Sequence, residues 1–149
     1  MNEDSIIQEA VYPYPIWSVW KALTSAEALA QWLMPNDFAP KLGHRFTMQS
    51  APRDGWNGVI ECQVVALEPP HRVAYTWRGG GESSRIDTLV TFTLATEDQQ
   101  TRLRLEHAGF ASTGEAGLLV RDLLSRGWKS HVLQQKLPAL LAQMSNQTE

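Results

Sequence analysis

The chain has 149 residues, of which 43% are hydrophobic, one cysteine and a formal net charge of -3. A chain of this length is typical of one domain and buries roughly 68–70% of its unfolded surface, enough for a full hydrophobic core. Neither sign of charge forms a long block, so the composition excludes the basic surface of a protein that binds nucleic acid or an anionic membrane.

The first residues and the cysteine content predict a soluble, cytoplasmic protein. Residues 1–5 are acidic and lack the basic and apolar regions of a signal peptide, and no apolar run approaches the ~20 residues that span a bilayer. Cys62 is the only cysteine, which excludes an intramolecular disulfide and a cysteine-based metal cage. A lone thiol fits the reducing cytosol.

The N-terminal segment predicts a strand followed by a short amphipathic helix. Residues 5–12 are the strand candidate, and Pro13 and Pro15 end it. Pro15 suits the first turn of a helix because its missing N–H would be unpaired there in any case. Apolar side chains then recur at helical spacing at Trp17, Trp20 and Leu23.

A second short helix is predicted directly after the first. Thr24 and Glu27 have the spacing of a capping box, which places this helix over residues 26–33, with Pro35 closing it. Three tryptophans of this region, Trp17, Trp20 and Trp32, take helix-core positions and are expected to seal both helices onto a sheet.

Five further strands are predicted in the middle of the chain, at residues 44–50, 58–67, 71–78, 85–95 and 101–108. Turn-forming residues divide them at residues 54–58, 69–70, 79–81 and 96–100. Pro69 and Pro70 cannot donate to a β-ladder, so the chain turns there between two apolar runs. The economical interpretation is an antiparallel meander.

A long helix is predicted over residues 117–144, after a cap signal at Ser112–Glu115. In a regular α-helix one apolar stripe would hold Leu119, Leu123, Leu137, Leu141 and Met144. Gly127 leaves space on the inner side of this helix, and Pro138 is expected to kink or locally break it.

Several of these segments resemble the family named for the activator of heat-shock protein 90 ATPase, within the START-like (SRPBCC) superfamily. The matching segments stand in the family's order, and the resemblance covers about residues 5–143. They are Pro15–Thr24, Ala28–Leu33, Gly58–Cys62, Leu67–Trp77, Thr88–Phe92 and Gly127-Trp128. The resemblance implies a single α+β helix-grip domain spanning residues 1–149. In that fold a curved antiparallel sheet of about six strands, with two short helices after the first strand, holds a long C-terminal helix over an internal cavity.

Strand alternation predicts which side chains face that cavity. Every second residue is apolar on strands 58–67, 71–78, 85–95 and 101–108, whereas the opposite faces carry most of the charges. We therefore expect a ligand-binding wall with few polar groups, Ser130 being a further candidate. The expected ligand-binding residues are Tyr75, Trp77, Thr88, Val90, Leu105, His107, Gly127, Trp128 and His131.

Each polar candidate also has a purely structural interpretation. His107 is more simply a locally hydrogen-bonded histidine at a strand end than a ligand-binding group, and His131 fits a half-exposed helix position as well as a pocket position. Cys62 fits a small buried hydrophobic residue. Trp77 and Trp128 fit both a pocket-lining position and a purely structural one. Trp56 lies in a turn-rich loop, where it fits an exposed lid or contact residue.

The preferred functional hypothesis is non-catalytic binding of a small, largely apolar molecule such as a lipid, a polyketide or an aromatic compound. No cofactor and no metal are expected, because the histidines lack metal-ligand spacing. A second hypothesis is an enzyme similar to polyketide cyclases, with Tyr75, His107 and His131 as acid or base groups. A third is a chaperone-interaction module like the family's namesake, although this chain lacks the extra domain that the namesake carries.

Overall fold

The structure is a computed structural model that describes residues 5–50, 58–79, 86–110 and 114–147. The strands are β1 (Ser5–Tyr12), β2 (Arg45–Gln49), β3 (Val59–Glu68), β4 (Arg72–Gly79), β5 (Ile86–Glu97) and β6 (Gln100–Ala108). The helices are α1 (Ile16–Leu23), α2 (Ala26–Trp32), α3 (Glu115–Arg126) and α4 (Leu137–Gln147), and a π-helical segment, Gly127–Lys136, connects α3 to α4. The Trp56 loop and the cap signal at Ser112 and Thr113 lie outside the described residues.

The six strands form one curved antiparallel sheet in the order β1-β6-β5-β4-β3-β2. Strands β2 to β6 form a meander, and β1 joins it at the far edge by pairing with β6, from Ser5 opposite Ala108 to Tyr12 opposite Thr101. A register shift between Val64 and Ala66 interrupts the pairing of β3 with β4, and such a bulge increases strand bending and twist. The α+β fold and the meander predicted from the sequence are confirmed.

The two short helices are confirmed, but the second is capped differently from the prediction. The Ser25 hydroxyl accepts a hydrogen bond from the Ala28 N–H at 3.3 Å, so Ser25 is the N-cap of α2. Thr24 instead donates its hydroxyl proton to the Trp20 carbonyl at 2.7 Å and closes the end of α1. The predicted core position of Trp17 is wrong, because this side chain is 60% exposed.

The C-terminal helix does not carry one continuous apolar stripe. Leu137 and Leu141 are buried, whereas Leu119 and Leu123 are 67% and 63% exposed. The ten residues of the π-helical segment explain the difference. Hydrogen bonds from residue i to i+5 give about 4.4 residues per turn and about 82° per residue, against 100° in an α-helix. Over the segment this delays the helical phase by about half a turn, which turns the α3 leucines to solvent.

Pro138 does not end the C-terminal helix, which continues through it as α4. The Leu137 N–H donates to the Val132 carbonyl, so the next N–H in the same register would reach Leu133. Residue 138 is proline and has no N–H to give. The Tyr12 hydroxyl, arriving from β1, donates to the Leu133 carbonyl at 2.8 Å and satisfies this buried acceptor.

Candidate functional site

An aromatic layer fills the space between the sheet and the C-terminal helix. Trp128 of the π-helical segment packs at ring-centroid distances of 5.7 Å from Trp77, 5.9 Å from Phe92 and 6.4 Å from Trp32. Trp32 meets Phe92 edge to face at 6.0 Å. Such pairs contribute about 0.5–1.5 kcal/mol each beyond the burial of their surface. The layer fixes α2 and the π-helical segment onto the centre of the sheet.

His107 lies within this layer as a neutral imidazole with both ring nitrogens bonded. The Thr88 hydroxyl donates to the Trp77 carbonyl at 2.9 Å. Because a hydroxyl has one proton, it accepts at its other contact, where His107 Nε2 lies 2.7 Å away and donates. The Trp128 Nε1–H in turn donates to His107 Nδ1 at 3.2 Å. Thr88 and Trp128 therefore select the Nε2–H tautomer of His107.

Burial lowers the pKa of His107 to about 3. A proton added to Nδ1 would point at the indole N–H of Trp128, and that group can donate but cannot accept. The hydrogen-bond geometry and the burial therefore both oppose protonation of His107. A general base needs a free lone pair within reach of substrate. His107 has none in this arrangement, because its ring nitrogens are bonded to Thr88 and Trp128.

Tyr75 is fully buried, and its polar group lies among aromatic rings. Its ring lies 5.3 Å from Phe46 and 6.3 Å from both Phe38 and Phe92, and its hydroxyl has no partner in the described part of the chain. Burial, with a smaller contribution from nearby Cys62, holds the pKa of this phenol well above its ordinary value. Tyr75 is therefore neutral and holds an unused proton donor inside an apolar layer.

A cleft of about 190 Å³ opens where the π-helical segment faces α2. Its inner wall is aromatic and its rim carries two polar side chains. The cleft is lined by Trp32, Leu33, Trp77, Leu124, Gly127, Trp128, His131, Val132 and Lys136. A Cβ atom added to Gly127 would meet nothing within 4 Å, so the space that the sequence predicted beside this glycine exists.

The structure divides the nine predicted site residues into two groups. The cleft brings together Trp77, Gly127, Trp128 and His131. The layer behind it holds Tyr75, Thr88, Val90, Leu105 and His107, all of which are buried. His131 is an exposed helix residue that lines the cleft, whereas Ser130 is exposed and does not line it.

Sequence reasoning missed five cleft residues, namely Trp32, Leu33, Leu124, Val132 and Lys136. Trp32 was assigned a purely structural role because it sits at a helix-core position. Val132 and Lys136 follow Trp128 at intervals of four residues, and this spacing could have placed them on the face of Trp128.

Cys62 is a core residue without signs of reactivity. Burial raises the pKa of this thiol to about 12, with smaller contributions from the carboxylates of Asp37 and Glu61. A thiol in this state is neither a nucleophile nor a metal ligand at neutral pH. Among the described residues, no three histidine, cysteine or acidic side chains are grouped to hold a metal ion. No helix of the described part is long and apolar enough to cross a membrane.

Residues 13–142 match the family described as Activator of Hsp90 ATPase homolog 1-like protein. The chain belongs to this family. The match begins just after β1 and ends within α4, so it includes both short helices, the meander and the π-helical segment. No match was found among curated proteins.

Solved structures of similar fold align with nearly the whole chain. Protein MLL2253 from Mesorhizobium loti is 30% identical with a TM-score of 0.78, and the alignment covers 97% of this chain and 98% of that one. CalU16 from Micromonospora echinospora is 25% identical with a TM-score of 0.66, covering 94% and 74%. PFC0360w, described as an HSP90 activator from Plasmodium falciparum, is 19% identical with a TM-score of 0.68, covering 95% and 96%. At that last identity the likeness concerns the fold alone.

Proposed function

We propose that the protein binds a small, largely apolar molecule, such as a lipid, a polyketide or an aromatic compound, between its sheet and its C-terminal helix, without catalysing a reaction on it. The observation that carries the proposal is the cleft, because aromatic walls at Trp32, Trp77 and Trp128 stand beside the open space at Gly127. Ligand sites commonly combine such apolar walls with a few polar groups. His131 and Lys136 would supply those groups at the rim.

The size of the cleft indicates how such a ligand would enter. About 190 Å³ is smaller than the ~300–1,000 Å³ of typical small-molecule sites. A larger ligand therefore requires the π-helical segment to move away from the sheet. Segments of this type occur often at functional sites. The movement would add the buried layer, Tyr75, Thr88, Val90, Leu105 and His107, to the binding surface.

Tyr75 would orient the ligand inside that layer. Its hydroxyl is buried and has no partner in the described part of the chain, and an unpaired buried hydroxyl costs about 1–3 kcal/mol. A ligand carbonyl or hydroxyl oxygen that accepts its proton would recover that free energy. We therefore favour oxygen-bearing apolar ligands, such as polyketides and flavonoids, over pure hydrocarbons.

The cyclase-like alternative has less support from the site. Of its three acid or base candidates, His107 has both nitrogens occupied, Tyr75 is a neutral phenol, and His131 is exposed.

The family relation also allows a chaperone partner, and direct binding to purified heat-shock protein 90 tests it. The single buried thiol of Cys62 supports a cytoplasmic location, which cell fractionation tests.

Native mass spectrometry of the purified protein, followed by a thermal-shift and tryptophan-fluorescence screen of lipids, flavonoids and polyketides, tests the proposal. A bound ligand should raise the melting temperature by linkage to the native state and perturb the emission of Trp77 and Trp128. Gly127→Leu should fold normally, because the site of its Cβ is open, and should lose binding. Lys129→Leu adds a leucine at an exposed position that does not line the cleft and should retain binding.

Two results would overturn the proposal. One is a screen in which no compound changes either signal and no small molecule is retained during purification. The other is a folded Gly127→Leu variant that binds every wild-type ligand with unchanged affinity. Conversion of a bound compound into product would replace the binding hypothesis by the enzymatic one.

A further inference from the structure

A second concavity lies away from the cleft, where α1, α2 and the end of α4 meet. This α1–α4 groove has a volume of about 580 Å³, and it shares no lining residue with the cleft. Its volume falls within the ~300–1,000 Å³ of typical small-molecule sites. The groove therefore has the size that the cleft lacks, without any movement of the C-terminal helix.

Trp17 is the aromatic wall of the groove. Its indole is 60% exposed, although its helical spacing with Trp20 and Leu23 predicts a buried position. Ala28, Leu140 and Met144 contribute apolar surface to the same groove. An open indole face beside aliphatic side chains is suited to stacking a flat ring, because one ring can contact both.

The groove also carries a cation, the Lys21 ammonium. Lys21 follows Trp17 by one helical turn and lines the groove with it, and no ion pair of Lys21 occurs in the described part of the chain. The Ser25 oxygen accepts the Ala28 N–H, which leaves its own proton free to donate to a ligand. Glu27 lines the groove as well, so a ligand anion should lie on the Lys21 side.

We propose that the α1–α4 groove is a second binding site, which takes a planar aromatic molecule bearing one anionic group. The ring stacks on Trp17 and the anion pairs with Lys21 and accepts the Ser25 hydroxyl proton. This site is independent of the proposed ligand between the sheet and the C-terminal helix.

A nuclear magnetic resonance titration of the full chain with 2-naphthoate tests the second site, and neutral 2-naphthamide is the matched control. We expect chemical-shift changes at the Trp17 indole N–H and the amides of α1, α2 and α4, with at least tenfold weaker binding of 2-naphthamide. Trp17→Ala and Lys21→Met should each weaken 2-naphthoate binding by at least fivefold, and Glu27→Gln should strengthen it by removing a like charge. All three positions are exposed, so the variants should fold.

The proposal fails if 2-naphthoate causes no shifts at millimolar concentration, or if both naphthalenes bind equally. It also fails if Trp17→Ala leaves the affinity unchanged, or if the shifts are confined to residues 124–136 of the cleft. Gly127→Leu separates the two sites, because it should leave 2-naphthoate binding in the groove intact.

Discussion

At the scale of single residues, two buried tyrosines differ in the hydrogen bonding of their hydroxyl groups. The Tyr12 hydroxyl satisfies the carbonyl that Pro138 leaves without a donor, whereas the Tyr75 hydroxyl has no partner in the described part of the chain. Both phenols have raised pKa values because both are buried. They differ in what removal of the hydroxyl would leave behind.

Tyr12→Phe should therefore lower the free energy of unfolding by about 1–3 kcal/mol, because the Leu133 carbonyl would stay buried and unpaired. Tyr75→Phe should leave stability unchanged or raise it, since no bond is lost and a buried polar atom disappears. Urea unfolding of the two variants beside the wild type measures both changes. Equal destabilisation by the two substitutions would contradict the assigned hydrogen bonds.

His107 should make the protein less stable in mild acid. Its pKa is about 3 in the native state, against an ordinary value of 6.5, so between these values the unfolded chain binds a proton that the native protein does not. This contribution to stability is present in full above about pH 6.5 and falls as the pH drops, by about 1.4 kcal/mol per unit at most.

His107→Gln isolates this effect, because glutamine can still donate to Thr88 and accept from Trp128 but does not titrate. Urea unfolding between pH 7 and pH 4.5 should show a weaker acid destabilisation for His107→Gln than for the wild type. The other histidines are common to both proteins and cancel in the comparison. Parallel stability curves would show that His107 titrates normally in the native state.

At the scale of elements, the sequence predicted all the strands and both short helices within a few residues, because their periodicities and their breaking residues are local signals. The C-terminal helix was predicted with one continuous apolar stripe, which is correct for Leu137 and Leu141 and wrong for Leu119 and Leu123. A prediction of the buried face from apolar periodicity assumes a constant 100° per residue. The sequence of Gly127–Lys136 contains no local signal for hydrogen bonds from i to i+5. The segment also contacts a residue that is distant in sequence, through the hydrogen bond from Tyr12 to Leu133, which local periodicity does not show.

Leucine truncations along this helix test its two phases. Leu137→Ala should destabilise the protein by about 2–5 kcal/mol, as large-to-small core substitutions do. Leu119→Ala and Leu123→Ala should change stability by less than about 0.5 kcal/mol, because both side chains are mostly exposed. A continuous α-helix with one buried stripe would instead make all three truncations severe, so thermal or urea unfolding of the three variants distinguishes the two forms.

At the scale of the whole molecule, the sequence predicts which side chains lie on the inner face of the sheet, but not which groups pack against that face. Residues of β4, β5 and β6 that alternation placed inward, such as Tyr75, Val90 and His107, are all buried. Whether they meet a ligand or other side chains depends on how far Trp32 and Trp128 reach in from α2 and the π-helical segment. Strand periodicity contains no information about that distance. The sequence therefore predicts the inner face of the sheet without showing what packs against it.

The sheet order also predicts how stability is distributed over the molecule. Strands β4, β5 and β6 each pair on both sides and carry buried side chains, so their amides should open only on global unfolding. The short edge strand β2 pairs on one side only, and α3 presents two exposed leucines, so both should open locally. Hydrogen exchange followed by nuclear magnetic resonance or mass spectrometry should therefore find the slowest amides in β5 and β6, with α3 exchanging at least a hundredfold faster. Equal protection of α3 and β5 would contradict this prediction, because it would mean that α3 opens only when the whole protein unfolds.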